Sequence, residues 1–167
     1  SRRMKIYIGF DDTDHIDADV GTGKLARRFE EHLPERCILR GVVRQQLLVD
    51  DRIPYTSHNS SACLIVEVPG NDCLDTLCER AVRHIETESL AGSDPGLCIA
   101  WGDNGALISL VEFGRRCTER VVPQAEAVRA ARGFHLSGHG GTNDGIIGAA
   151  AAVGLTASGW SGRFIEF

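Results

Sequence analysis

Met4-Lys5-Ile6-Tyr7-Ile8-Gly9-Phe10 runs directly into Asp11-Asp12-Thr13-Asp14. The first seven residues are mostly apolar, with isoleucine and aromatic side chains, and read as a buried strand. Three carboxylates within four residues at the end of such a strand repel one another. That repulsion raises at least one pKa unless a cation sits among them. Strand ends are also where open α/β sheets gather their ligands. The loop therefore reads as a Mg²⁺–phosphate site built on Asp11, Asp12 and Asp14, with an ordinary polar loop carrying an aspartate helix cap as the alternative.

Working outward, Leu25, Phe29 and Leu33 fall on one face of a predicted helix over 22–33, with Arg27, Arg28, Glu30 and Glu31 on the other, and Pro34 stops it. A strand is predicted over 37–48, followed by the turn-rich Asp50-Asp51-Arg52-Ile53-Pro54. Ser61 to Val68 reads as the next strand. A helix follows over 72–88, striped by Leu74, Leu77, Ala81, Val82 and Ile85, with His84, like His32 on its own helix, placed on the surface. A short strand over 97–101 leads into a helix over 106–116. This strand–helix–strand–helix block, 61–117, has the order of half a ferredoxin-like split βαβ arrangement. A strand at 119–122, a helix opened by Pro123, a strand at 134–137, a small-residue helix at 146–153 and an alternating terminal strand at 163–167 complete an α/β (α+β) chain.

The 167 residues suffice for one sizeable domain or two small ones. Ordinary hydrophobic and charged fractions, 43% and 25%, exclude a disordered chain, and no run approaches the length of a membrane span. The opening Ser1-Arg2-Arg3-Met4 lacks the apolar core of a signal peptide, which makes a cytoplasmic protein with no membrane partner the expectation. A net charge of −5 argues against nonspecific nucleic-acid binding by the whole surface. Cys37, Cys63, Cys73, Cys78, Cys98 and Cys117 are irregularly spaced without a CxxC pair, so buried free thiols are favoured over zinc or disulfides. Arginine greatly outnumbers lysine, which is confined to Lys5 and Lys24; this suits phosphate recognition, and equally a GC-rich genome.

A second loop, Gly138-His139-Gly140-Gly141-Thr142-Asn143-Asp144-Gly145, enters the small-residue helix. Glycines permit close backbone approach, and N–H groups at a helix start favour an anion, so Gly140, Gly141, Thr142, Asn143, Asp144 and Gly145 read as a phosphate cradle. A tight turn with Asn143 or Asp144 as a cap is the alternative. The run Asp17-Ala18-Asp19-Val20-Gly21-Thr22-Gly23-Lys24-Leu25 fails as a Walker A loop, because Ala18 stands where its first glycine belongs and Leu25 where its hydroxyl belongs. Thr22 still suits a helix cap or a phosphate contact, and Lys24 a phosphate neutraliser or a solvated helix lysine. An aspartyl-phosphate mechanism at Asp12-x-Asp14 generally needs a later lysine, and none follows Lys24. His58 and Asn59, in a dense polar loop, are candidate substrate contacts. His15 lies beside the carboxylates as a candidate proton or phosphate contact. His135 and His139 stand at metal-ligand spacing, but glycine between them makes a helical metal pair improbable.

Taken together, Gly9-Phe10-Asp11-Asp12-Thr13-Asp14, Gly21-Thr22, Ile53-Pro54-Tyr55-Thr56-Ser57-His58-Asn59 and Gly141-Thr142-Asn143-Asp144-Gly145-Ile146-Ile147-Gly148-Ala149 resemble the archaeal tRNA-isoleucine agmatinylcytidine synthetase family. The resemblance implies a discontinuous kinase-like domain, residues 1–60 and 118–167, with a ferredoxin-like unit inserted at 61–117. It implies that Asp11, Asp12 and Asp14 bind Mg²⁺-ATP and that Thr22 is the threonine that accepts phosphate. It also implies that the 141–145 loop faces the nucleotide, and that ATP activates a cytidine of tRNA for attachment of agmatine. The family's nucleic-acid-binding barrel and zinc ribbon have no counterpart in these residues, so tRNA is expected to need a partner's help. The acceptor is then a small molecule or an RNA presented by that partner, and a homodimer stays open. Three functions follow: an ATP-dependent kinase- or ligase-like enzyme, a non-catalytic nucleotide- or metabolite-binding module, and a metal-dependent phosphohydrolase.

Overall fold

Strand β1, Met4–Asp11, is hydrogen-bonded on both sides, so its buried apolar run is a consequence of its place near the middle of a sheet. The structure is a computed structural model and describes residues 4–11, 28–46, 60–88, 94–103, 105–159 and 163–165. Five more strands join β1: β2 (Ile38–Gln46), β3 (Ser60–Val68), β4 (Gly96–Trp101), β5 (His135–Gly138) and β6 (Arg163–Ile165). The sheet order is β5-β4-β1-β3-β2-β6, and every described pairing is antiparallel. Helix α1 is Leu74–Glu88, α2 is Ile108–Glu119, α3 is Gln124–Ala130 and α4 is Gly145–Ala157.

The four central strands run β4-β1-β3-β2, the ferredoxin-like order. The split βαβ expected within 61–117 is present as β3–α1–β4, with β1 as its middle strand. The boundary drawn after 117 falls inside α2.

Alternation along each strand divides the core in two. Ile6, Ile8, Phe10, Leu64, Val66, Leu97 and Ile99 point to the face covered by α1 and Phe29. Tyr7, Cys63, Cys98 and Ala100 point to the other, covered by α2, α3 and α4. Helix α4 comes closest because its face is nearly all alanine and glycine. A Cβ on Gly9 would collide with the carbonyl oxygen of Ala149, and one on Gly154 with that of Leu110. Among the described residues no helix is long and apolar enough to cross a membrane.

Two expectations need correction. Residues 119–122 form no strand: α2 continues to Glu119, and Arg120 then grips Glu126 of α3 through both terminal nitrogens, at 3.3 and 3.0 Å. Val122 is buried between the helices while Val121 is exposed, so the apolar residue serves helix packing and not a strand. His84 is buried at 3% exposure, with its ring 5.2 Å from Phe29 and 6.2 Å from Phe10. Of the helix expected over 22–33, residues 22–27 lie outside the described residues; Arg28 is helical and the 3₁₀ turn Phe29–His32 follows it.

All six cysteines are free thiols. Burial pushes Cys63 up to about 12 and Cys117 up to about 12, while Cys98 is raised further by burial and by Cys63. The folded chain therefore keeps thiol protons that the unfolded chain releases above the ordinary value near 9. Stability should hold up to about pH 9 and fall progressively toward about pH 12, as read by urea midpoints across that range. Gly9→Ala should cost roughly 1–3 kcal/mol in the same assay at neutral pH, because the added methyl forces α4 off the sheet.

Candidate functional site

Register places one residue from each of five adjacent strands in a single row. Gln45 of β2 pairs with Ser61 of β3, Ser61 with Asp11 of β1, Asp11 with Gly96 of β4, and Gly96 with Gly138 of β5. Partners in an antiparallel sheet share a face, and here it is the face under α4. Gln45, Ser61 and Asp11 are all buried, at 1%, 1% and 6% exposure. Gln45 Nε2 donates to Thr156 Oγ1 of α4 at 3.4 Å. The Ser61 hydroxyl is buried with no hydrogen-bond partner among the described residues. Such a group costs free energy unless something satisfies it, which marks this row as a polar shelf inside an apolar core.

The glycine end of the row lets the second loop descend. A Cβ on Gly96 would collide with the backbone of Gly145, and one on Gly145 with the carbonyl oxygen of Asp94. A Cβ on Gly148 would overlap the carboxylate of Asp11 itself. Asp11 therefore lies against the first turn of α4, where the helix dipole favours a negative charge. Asp11 and the helix that the glycine loop enters, far apart in sequence, meet through this contact.

Within the loop, Gly140 and Gly141 take positive φ (148° and 60°), and Asn143 stands in the left-handed region at φ 67°. Thr142 donates its N–H to Asp94 Oδ1 at 2.7 Å and its hydroxyl to Asp94 Oδ2 at 3.1 Å. Asp144 N–H donates to Thr142 Oγ1 at 3.2 Å, and Gln124 Nε2 to the Thr142 carbonyl at 3.0 Å and to Asp144 Oδ1. The Asp94 carboxylate thus holds the paired donors that an incoming anion would use. Nothing in the sequence singles out Asp94 or Gln124, because no local pattern ties them to the loop; only the fold brings them there.

Of the remaining candidate residues, Asp12, Asp14, His15, Thr22, Lys24, His58 and Asn59 lie outside the described residues. Asp11 is accordingly the one carboxylate of its loop whose surroundings are described. Among the described residues no group of three or more metal-ligating side chains clusters. Ser61 and Gln45 escape the sequence reading, because each stands beside other polar residues at its strand end, Ser60 and Gln46, and looks like part of the strand's exposed margin. Replacing Gly148 by alanine should destabilise the protein by displacing Asp11, and Asp11→Ala should relieve the two tightest overlaps, with Oδ2 and Cγ. A double-mutant cycle in urea should give a coupling of about 1 kcal/mol.

No protein-family model matches the sequence, and no significantly similar curated protein is found. Solved structures do match. Apo TiaS, described as an agmatidine synthetase for an isoleucine tRNA, superposes on 90% of this chain at TM-score 0.71 and 24% identity, over 35% of its own length. A tRNA fluorescent labeling enzyme matches at TM-score 0.72 and 25% identity, over 36% of its length. The complex of TiaS with its isoleucine tRNA and ATP matches at TM-score 0.67 and 26% identity, and TiaS is also solved with that tRNA, AMPCPP and agmatine together. The chain spans about a third of the length of these proteins and has the mixed α/β fold of that third of the agmatidine synthetase.

Proposed function

We propose that the chain binds Mg²⁺-ATP on the shelf formed by Asp11, Ser61 and the start of α4, and uses it in an ATP-dependent phosphoryl-transfer or ligase-type step of tRNA modification. The observation that carries this reading is the burial of the Asp11 carboxylate against the first turn of α4, within a fold shared with proteins solved with ATP, AMPCPP, tRNA and agmatine. Carboxylate oxygens are the donors a hard cation takes, so Asp11 with Asp12 and Asp14 would hold Mg²⁺. When bound, that ion would neutralise charge on the phosphate oxygens, the main demand of phosphoryl transfer. The Ser61 hydroxyl and the loop 140–145 would orient the nucleotide, and Thr22 and Lys24 would contact its phosphates. His58 and Asn59 would face the acceptor, a small molecule or an RNA presented by a partner, with residues 61–117 framing its pocket.

A non-catalytic nucleotide-binding module is the second reading. In it the same residues would hold the nucleotide without transferring its phosphate, and Asp94, which accepts from Thr142, would have to yield those donors in either reading. Mg²⁺-ATP at millimolar concentration should raise Tm, by the mass action of a ligand that binds only the folded state. Asp12→Asn should abolish most of that rise, and no rise for the wild-type protein would overturn both readings. Transfer of label from ATP to Thr22 or to an added acceptor would separate the enzyme from the binding module.

A further inference from the structure

At the β5 edge, the sheet face opposite the shelf carries a second cluster, independent of the nucleotide reading. Leu136 packs into the core under α4, so its neighbours His135 and Ser137 point to the α1 side, as does His139 just beyond the strand. His135 Nε2 lies 2.7 Å from Ser137 Oγ, and Ser137 Oγ lies 2.7 Å from His139 Nε2. His139 Nδ1 in turn meets Glu86 Oε2 of α1 at 3.0 Å.

A carboxylate only accepts, so the proton between Glu86 and His139 sits on Nδ1. Two arrangements satisfy the rest of the chain, since Ser137 donates to one imidazole and accepts from the other. In the one that primes the hydroxyl, the Nε2 of His139 offers its lone pair and Ser137 donates to it. Ser137 Oγ accepts the N–H of His135, which burial, reinforced by His139, holds below the usual imidazole value and so neutral at neutral pH. A serine hydroxyl aimed at an imidazole, itself oriented by a carboxylate, is the arrangement that activates a nucleophile. His139 is itself shielded, its side chain 7% exposed, while Glu86 reaches in from the rim at 58%. Beside the cluster, an open depression of about 510 Å³ is lined by His135, Glu86, Val82, Cys78 and Arg83, among others.

We propose that Ser137, His139 and Glu86 form a second reactive centre, which takes acyl groups from small carboxylic esters. Ser137 Oγ bonds to the ester carbonyl carbon while His139 Nε2 takes the hydroxyl proton. The carbon–oxygen bond to the alcohol then breaks, and His139 returns the proton to the departing oxygen. Water, deprotonated in the same way, releases the carboxylic acid and restores Ser137. Glu86 is a positioning residue, acting through His139.

The test is incubation of the whole chain with a fluorophosphonate probe, followed by peptide mass spectrometry, and hydrolysis of p-nitrophenyl acetate. The wild-type protein should carry one adduct, on Ser137, and show a burst of nitrophenolate. Ser137→Ala should lose both, and His139→Gln should slow labelling at least about 100-fold, in keeping with loss of a general base. Glu86→Gln should lower kcat for p-nitrophenyl acetate several-fold and leave KM in place, because Glu86 acts only through the orientation of the His139 ring. A merely structural role would not confine the loss to kcat. Folding of each variant is checked by circular dichroism. Absence of a Ser137 adduct on the folded wild-type protein, or labelling indifferent to His139→Gln, overturns the proposal.

Discussion

The near-contact of α4 with the sheet is the constraint on which the rest of the structure depends. A helix normally stands about 10 Å from a sheet because side chains fill the gap. Here Gly9 and Gly96 on the strands, and Gly145 and Gly148 on α4, remove that filling where the two meet. Backbone then packs against backbone, and the first turn of the helix arrives beside Asp11. The helix gains little from hydrophobic area, since alanines bury few carbons each; its stabilisation comes from close dispersion contact along its length. That kind of packing tolerates no added methyl, which explains why a segment so plain in sequence is so tightly specified in space.

Two polar centres flank one sheet, and each is built differently. The shelf under α4 is assembled from register: Gln45, Ser61, Asp11, Gly96 and Gly138 line up only because five strands are paired without slippage at that end. The His135–Ser137–His139 cluster is local to β5 and borrows one residue, Glu86, from α1. The first is therefore sensitive to anything that shifts a strand, the second to anything that tilts one helix.

Much of this is legible in the chain. The strands β1, β3 and β4 are readable as apolar runs, α1 from its apolar stripe and α4 from its run of small residues. The ferredoxin-like element is readable from the order of β3, α1 and β4, although its middle strand comes from elsewhere. Val121-Val122 misleads because two apolar residues before a proline suggest a strand, whereas at this helix-to-helix corner only Val122 is buried and Val121 is exposed. His84 misleads because an imidazole can serve as an aromatic core side chain, which its polarity hides. Asp11 stands out in sequence through its neighbouring carboxylates, whereas its burial against α4 depends on the fold. Asp94, Gln124, Ser61 and Gln45 are not, since their roles depend on pairing across the sheet and on loop contacts that no local pattern encodes.

Strand β5 has only four residues, yet its alternating side chains serve both faces of the sheet. Gly138 ends the row beneath α4, while Ser137 looks toward α1. The two centres thus share one short beam, held to β4 on one side and following directly into the glycine loop. A ligand that slides or twists this beam when it binds on one face changes the hydrogen-bond geometry on the other. By reciprocity, a ligand held beside Ser137 would change the affinity of one on the shelf by the same factor. Communication between the two faces would need no moving domain, only a small displacement of four residues.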